Sequence, residues 1–233
     1  MNHSQRNAFL RNHHYRWRKS FSGQWLLIGP DGYPTTEQAA RSAIEQQGRC
    51  APPSPGEWAR ALLEKRPLVL DTETNGLEAC HEVIELALVE IDGTVVLNTL
   101  LQCQGEIPIE ATRIHGITKA TLSSAPTFPE VWASFQPYQN REIIIYNAAF
   151  DIPLLAQTAE RYQMTLPRLK SHCLMIQYLT HVAGVQKNES PRESYRSLET
   201  ACHHFGVAVG GHRALSDAQA AREVVCHLAE WVE

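Results

Sequence analysis

Residues 67–77 read Pro67-Leu68-Val69-Leu70-Asp71-Thr72-Glu73-Thr74-Asn75-Gly76-Leu77. A short apolar run that ends on carboxylates has the form of a buried strand whose last residues reach the edge of a sheet. Residues i and i+2 of a strand point to one face, about 6.6 Å apart along the backbone, so Asp71 and Glu73 can converge on one cation or a close pair. Taken alone, the pair is equally a solvated strand end before a turn.

Outward from this stretch the pattern alternates. Residues 83–91 form a β-branched run that meets the turn dipeptide Asp92-Gly93 and continues into residues 94–101, which predicts an antiparallel hairpin. Helices are then predicted near residues 128–136, 152–162, 198–205 and 214–231, with a buried strand at 142–146 and a mixed run at 173–178. A meander followed by βα alternation predicts an α/β fold built on one mixed sheet covered by helices. Upstream, residues 57–65 have helical amphipathicity. Ala51-Pro52-Pro53-Ser54-Pro55-Gly56 resists both helix and ladder pairing, so the expected division is an extension at 1–50, a linker at 51–56 and a main domain at 57–233. Within the extension, residues 24–28, the turn at 29–34 and Thr35/Thr36 before residues 37–45 read as strand, turn and capped helix.

The 233 residues, 43% hydrophobic and 20% charged, fit an ordinary globular protein of one full domain plus an appendage. No apolar stretch approaches the roughly 18 residues needed to span a bilayer, so no membrane partner is expected. The net charge of −4 is unevenly spread: residues 1–50 hold seven basic against three acidic residues, and the remainder holds 14 against 22. A basic attachment on an acidic body makes net charge a poor guide to partners. Arg6, Arg11, Arg16, Arg18 and Lys19 are interleaved with Phe9, Tyr15, Trp17, Phe21 and Trp25, a composition suited to single-stranded nucleic acid and equally to a tail before a small module. Six scattered cysteines without a C-x-x-C pair point to reduced thiols in a cytoplasmic protein. Neither His172-Cys173 nor Cys202-His203-His204 has the ligand spacing of a zinc site.

Two further motifs carry acids. Tyr146-Asn147-Ala148-Ala149-Phe150-Asp151 joins a buried strand to an apolar helix and places an acid in the helix's first turn. Gly210-Gly211-His212-Arg213-Ala214-Leu215-Ser216-Asp217 precedes the last helix. Five residues rotate a helix by about 500°, so His212 and Asp217 converge only if His212 lies in a glycine-hinged loop and Asp217 in the following first turns. Four acids and one histidine are the inventory of two-metal phosphodiester hydrolysis, in which an imidazole can take a proton from the attacking water.

In this order, the motifs resemble the DEDDh 3′→5′ exonucleases of the ribonuclease H-like superfamily, especially the DnaQ-like proofreading domains of bacterial replicative polymerases. The resemblance covers residue 68 to the C-terminus. It implies a ribonuclease H-like mixed five-stranded sheet, with Asp71, Glu73, Asp151 and Asp217 as ligands of two Mg²⁺, for which Mn²⁺ would substitute, and His212 as general base. Glu110-Ala111-Thr112-Arg113-Ile114-His115-Gly116-Ile117-Thr118 resembles the family's loop near the 3′-terminal nucleotide. The resemblance thus assigns Thr74, Gly76, Leu77, Glu110, His115, Asn147 and Phe150 to substrate contacts.

The expected activity is release of nucleoside 5′-monophosphates from a single-stranded or frayed DNA 3′ end, in proofreading or repair, with a DNA polymerase subunit or sliding clamp as partner. The alternatives are an exoribonuclease acting on short RNA and a non-catalytic polymerase or clamp adaptor. Gln163-Met164-Thr165-Leu166-Pro167 faintly resembles a clamp-binding peptide, but its position favours a structural loop. Two departures stand out: Tyr146 occupies the place of a His in many relatives, and the segment before Glu57 has no counterpart in the minimal proofreading domain.

Overall fold

Leu10 and Tyr15 anchor the basic opening segment, which is folded rather than a tail. The computed structural model describes residues 3–20, 22–47, 52–185 and 195–231, so Phe21, Cys50 and Ala51 lie outside the described residues. Helix α1 (His3–Asn12) leads into an antiparallel sheet of β1 (Arg16–Lys19), β2 (Trp25–Ile28) and β3 (Pro34–Thr35), followed by α2 (Glu37–Gln47). Thr36 Oγ1 accepts the Ala39 amide at 3.1 Å and caps α2. Leu10, Tyr15, Leu27 and Ala40 form a small core of their own, with Ile44 packed against it. Local hydropathy misses α1 and β1 because only one face of each is apolar, and that face is completed by Leu27 and Ala40 from later elements.

Helix α3 (Pro55–Leu63) starts inside the proline-rich stretch. Ser54 and Glu57 exchange capping-box hydrogen bonds, and Pro55 occupies a first-turn position whose missing N–H costs nothing. Gly56 is required there, since a Cβ would lie 2.6 Å from the Trp231 carbonyl oxygen.

The main sheet comprises β4 (Leu68–Thr74), β5 (Val83–Glu90), β6 (Val95–Leu100), β7 (Glu142–Ile145) and β8 (Lys170–Cys173), in the order β6-β5-β4-β7-β8. β4 pairs antiparallel with β5 and parallel with β7, so the carboxylate-bearing strand is central and the sheet is mixed, as expected. Every residue from 83 to 89 is buried, which covers both faces of β5. The flanking helices are α4 (Ile109–His115), α5 (Phe128–Phe135), α6 (Ala148–Arg161), α7 (Leu174–Val185), α8 (Leu198–Phe205) and α9 (Ala214–Glu230). α9 packs on β4, β5, α3 and α8. The mixed run at 173–178 resolves into the end of β8 and the start of α7. Met164 and Leu166 pack against the main core, a structural use of the 163–167 loop. Among the described residues no helix is long and apolar enough to cross a membrane.

The small sheet is fastened to α6 and β8. A Cβ on Gly32 would lie 2.3 Å from the Ala148 carbonyl oxygen and 2.6 Å from Ile152 Cβ, so the turn seats directly on the start of α6. Asp31 pairs with Arg168, its carbonyl accepts the Ser171 hydroxyl at 2.7 Å, and the Tyr33 hydroxyl accepts the Leu169 amide at 2.6 Å.

Candidate active site

β4 alternates half-buried Asp71 and Glu73 with buried Thr72 and Thr74, which turns the two acids to one face. Asp217 meets them from the first turn of α9, and one carboxylate oxygen from each of Asp71, Glu73 and Asp217 falls within 4.8 Å of the others. Asp151, in the first turn of α6, stands outside that trio but lines the same cleft, whose volume is about 520 Å³. It is 4% exposed, and the Thr72 hydroxyl donates to its Oδ1 at 2.7 Å. His212 also lines the cleft, from the exposed loop before α9, with φ 58°. Gly210 lets that loop close on the helix: a Cβ there would lie 1.9 Å from Asp217 Oδ1.

Leu77, which is 71% exposed, lines the cleft with Asn147 and Phe150. Thr74, Gly76, Glu110 and His115 do not line it. The Thr74 hydroxyl donates to the Gly76 carbonyl at 2.9 Å, and Gly76 approaches His81 so closely that a Cβ would lie 2.5 Å from the ring. His115 is buried and its Nδ1 accepts the Ile117 amide at 3.0 Å, whereas Glu110 is exposed on α4. Tyr146 is buried, with its hydroxyl 2.9 Å from the carbonyl oxygens of Arg196 and Ser197, and so ties the cleft to the start of α8.

Glu85 was not singled out by its sequence context, although an acid within a run of buried strand residues signals a partner from elsewhere. It is 3% exposed and sits opposite Glu73 in the β4–β5 register. Arg213 grips both its oxygens at 2.6 and 3.0 Å, and Glu85 Oε2 accepts the Ala214 amide at 3.0 Å. This clamp sets where α9 begins, and hence where His212 and Asp217 point. Arg213→Ala leaves the buried carboxylate with one backbone donor. The expected loss is about 2–3 kcal/mol in urea unfolding, below the 3–5 of a fully buried pair because the guanidinium is half exposed. Unchanged stability would mean that the clamp does not anchor α9.

The acids crowd one another. Burial, then Asp151, Asp217, Glu73 and Glu85, hold the Asp71 carboxyl well above the usual carboxylate range. Burial, then Asp217, Glu85 and Asp151, push Glu73 up to about 8. Burial raises Asp151 against the Thr72 hydrogen bond and the Arg18 cation, and raises Asp217 against His212. A set of hard oxygen donors that repel in this way fits a divalent cation of the Mg²⁺ or Mn²⁺ type.

Without such a cation, Glu73 binds a proton in the fold up to about pH 8 but only up to about 4.5 when unfolded. The folded state then holds more protons across that window, so this group's contribution is present at low pH and is lost as pH rises through about 8. In EDTA the Tm difference between parent and Glu73→Gln should therefore shift against the parent from pH 5 to 8, and saturating Mg²⁺ or Mn²⁺ should abolish the trend. A shift in the parent's favour would contradict it.

The exonuclease family model RNase_T matches residues 68–225. The chain is 32% identical over 181 residues to the uncharacterized exonuclease CP81 of Escherichia phage 186, covering 74% of this chain and 92% of that protein. It is 30% identical over 173 residues to DNA polymerase III subunit epsilon of Escherichia coli (strain K12), covering 68% of this chain and 69% of that one. The nuclease domain of 3′hExo, a DEDDh family member bound to rAMP, matches with a TM-score of 0.56 at 15% identity, over 71% of this chain and 92% of that one, a likeness of fold.

Proposed function

The chain belongs to the exonuclease family of DEDDh 3′→5′ exonucleases, and from that premise we propose that it releases nucleoside 5′-monophosphates from single-stranded or frayed DNA 3′ ends. The observation that carries this reading is the meeting of Asp71, Glu73 and Asp217 within 4.8 Å, with Asp151 and His212 on the same cleft wall. DNA as substrate, and a role in proofreading or repair beside a polymerase subunit or sliding clamp, draw support from the relatedness to DNA polymerase III subunit epsilon. Residues 57–233 act as the catalytic domain, with 1–50 as an accessory and 51–56 between them.

Asp71, Glu73, Asp151 and Asp217 would hold two Mg²⁺, with Mn²⁺ as a substitute; the bound ions would stabilise charge on the attacking and leaving oxygens. His212, on the exposed loop, takes the proton of the attacking water as the water oxygen bonds to phosphorus. The P–O3′ bond breaks, and the departing O3′ takes a proton from solvent. Leu77 and Phe150 offer apolar surface to the terminal nucleotide. The Asn147 Oδ1, buried without a hydrogen-bond partner among the described residues, offers it an acceptor. Thr74, Gly76 and His115 shape the turn behind this wall, and Glu110 would approach the 3′-hydroxyl from α4.

Incubation with 5′-labelled DNA and RNA strands and Mg²⁺ or Mn²⁺ tests the reading. A DNA ladder shortening from the 3′ end is expected. RNA shortened while DNA stays intact would transfer the activity to RNA, and no ladder on either would remove it.

A further inference from the structure

Among the described residues, the cleft wall holds five carboxylates, those of Asp71, Glu73, Asp151, Asp217 and Glu199, and Arg16 as its sole Lys or Arg. Arg16 belongs to β1, outside the residues 68–225 matched by the family model. Its direction follows from the strand. Trp17 bonds to Asn7 of α1 through its indole N–H at 3.3 Å, and Leu27, its partner across the sheet, lies in the small core. Strand alternation turns Arg16 and Arg18 to the opposite face, where Arg18 lies beside Ile152, Pro153 and Gln157 of α6. Asp151 and Glu78 support the Arg18 charge against the burial that lowers its pKa. The same alternation puts Trp17 and Trp25 on the face away from the cleft, so these two indoles are not a platform for the strand being cut.

Two divalent cations would offset four of the five carboxylates, and the phosphate under attack would be held by them. Among the described residues of the lining, every other phosphate of a strand in the cleft meets the remaining acid and no Lys or Arg besides Arg16. Arg16 is half-buried, and its strand is fastened through Gly32, Asp31 and Tyr33 to α6 and β8, so its guanidinium is presented from a rigid support. We propose that Arg16 binds a backbone phosphate of the substrate strand other than the one being cut, so that the N-terminal sheet completes the nucleic-acid cleft. This rests on the exonuclease reading above.

The test compares two substrates of the full-length protein: a single-stranded DNA oligonucleotide, and the 4-nitrophenyl ester of thymidine 5′-monophosphate, which has one phosphodiester and no neighbouring phosphate. In Arg16→Ala the ratio of kcat/KM for the oligonucleotide to that for the ester should fall about five- to twentyfold, through KM. The salt dependence of the oligonucleotide reaction should become shallower by about 0.7 in log–log slope, one single-strand phosphate contact. Arg16→Gln should behave like Arg16→Ala and Arg16→Lys should recover most of the ratio. Arg11→Ala, which removes the same charge from the exposed end of α1, should keep the parental ratio. A parental ratio and slope in both Arg16→Ala and Arg16→Gln, with the melting temperature retained, would overturn the proposal. Equal loss on both substrates would also overturn it, assigning Arg16 to the support of the acids. A parent inactive on both substrates would instead sink the exonuclease reading, and this proposal with it.

Discussion

Asp71→Asn is expected to lower kcat/KM on a labelled DNA strand by roughly 10³-fold or more. Loss of several kcal/mol of charge stabilisation at the reacting phosphate, at about 1.4 kcal/mol per tenfold in rate, sets that scale. Burial, then the charges of Asp151, Asp217, Glu73 and Glu85, all raise the pKa of Asp71. Its amide isostere keeps the shape of the β4 end but removes one charge from the cluster, so the metal-free protein should melt at the parental temperature or above. The rise in Tm on adding Mg²⁺ or Mn²⁺ should shrink in the same variant. Activity within tenfold of the parent would remove Asp71 from the site, whereas a large drop in metal-free Tm would assign it to the fold.

His212→Asn should slow hydrolysis by about 10²–10⁴, the range for removal of a positioned general base. Asparagine is the choice because His212 has φ 58°, a left-handed conformation that Asn adopts more readily than Ala. The loop from Gly210 to Arg213 then keeps its path and Asp217 its place. The metal-dependent rise in Tm should match the parent's, since His212 is not one of the four proposed ligands. A parental rate would place proton removal elsewhere; a lost metal response would make His212 part of the ligand set.

The parts of the fold that were legible in the sequence are those whose signals are local. Asp92-Gly93 marks the β5–β6 hairpin, and the acids after Leu70 mark the end of the central strand. The helix expected at 198–205 is α8 (Leu198–Phe205). Gly210-Gly211 announced a loop that carries His212 ahead of α9, and the loop is there. What stayed hidden depends on residues distant in the chain. Glu85 and Arg213 are 128 positions apart, and neither reveals the other until β5 and α9 pack together. Arg16 read as one more charge in a basic tail, because its meaning comes from the side of β1 on which it falls. Ile109–His115 read as a loop because seven residues between Pro108 and Gly116 are too few to display a helical period.

The fastening of the small sheet also has a consequence for synthesis. Asp31 finds Arg168 and Ser171 only 137 and 140 residues later in the chain. At about 5–20 residues per second on the ribosome, the extension waits roughly 7–28 s for its seat. During that wait its own core consists of Leu10, Tyr15, Leu27 and Ala40, with Ile44 against it, too little buried surface for independent stability. A polar, basic sequence is well suited to such an interval: the nascent segment stays solvated and offers little apolar surface to other chains until the nuclease body emerges to receive it.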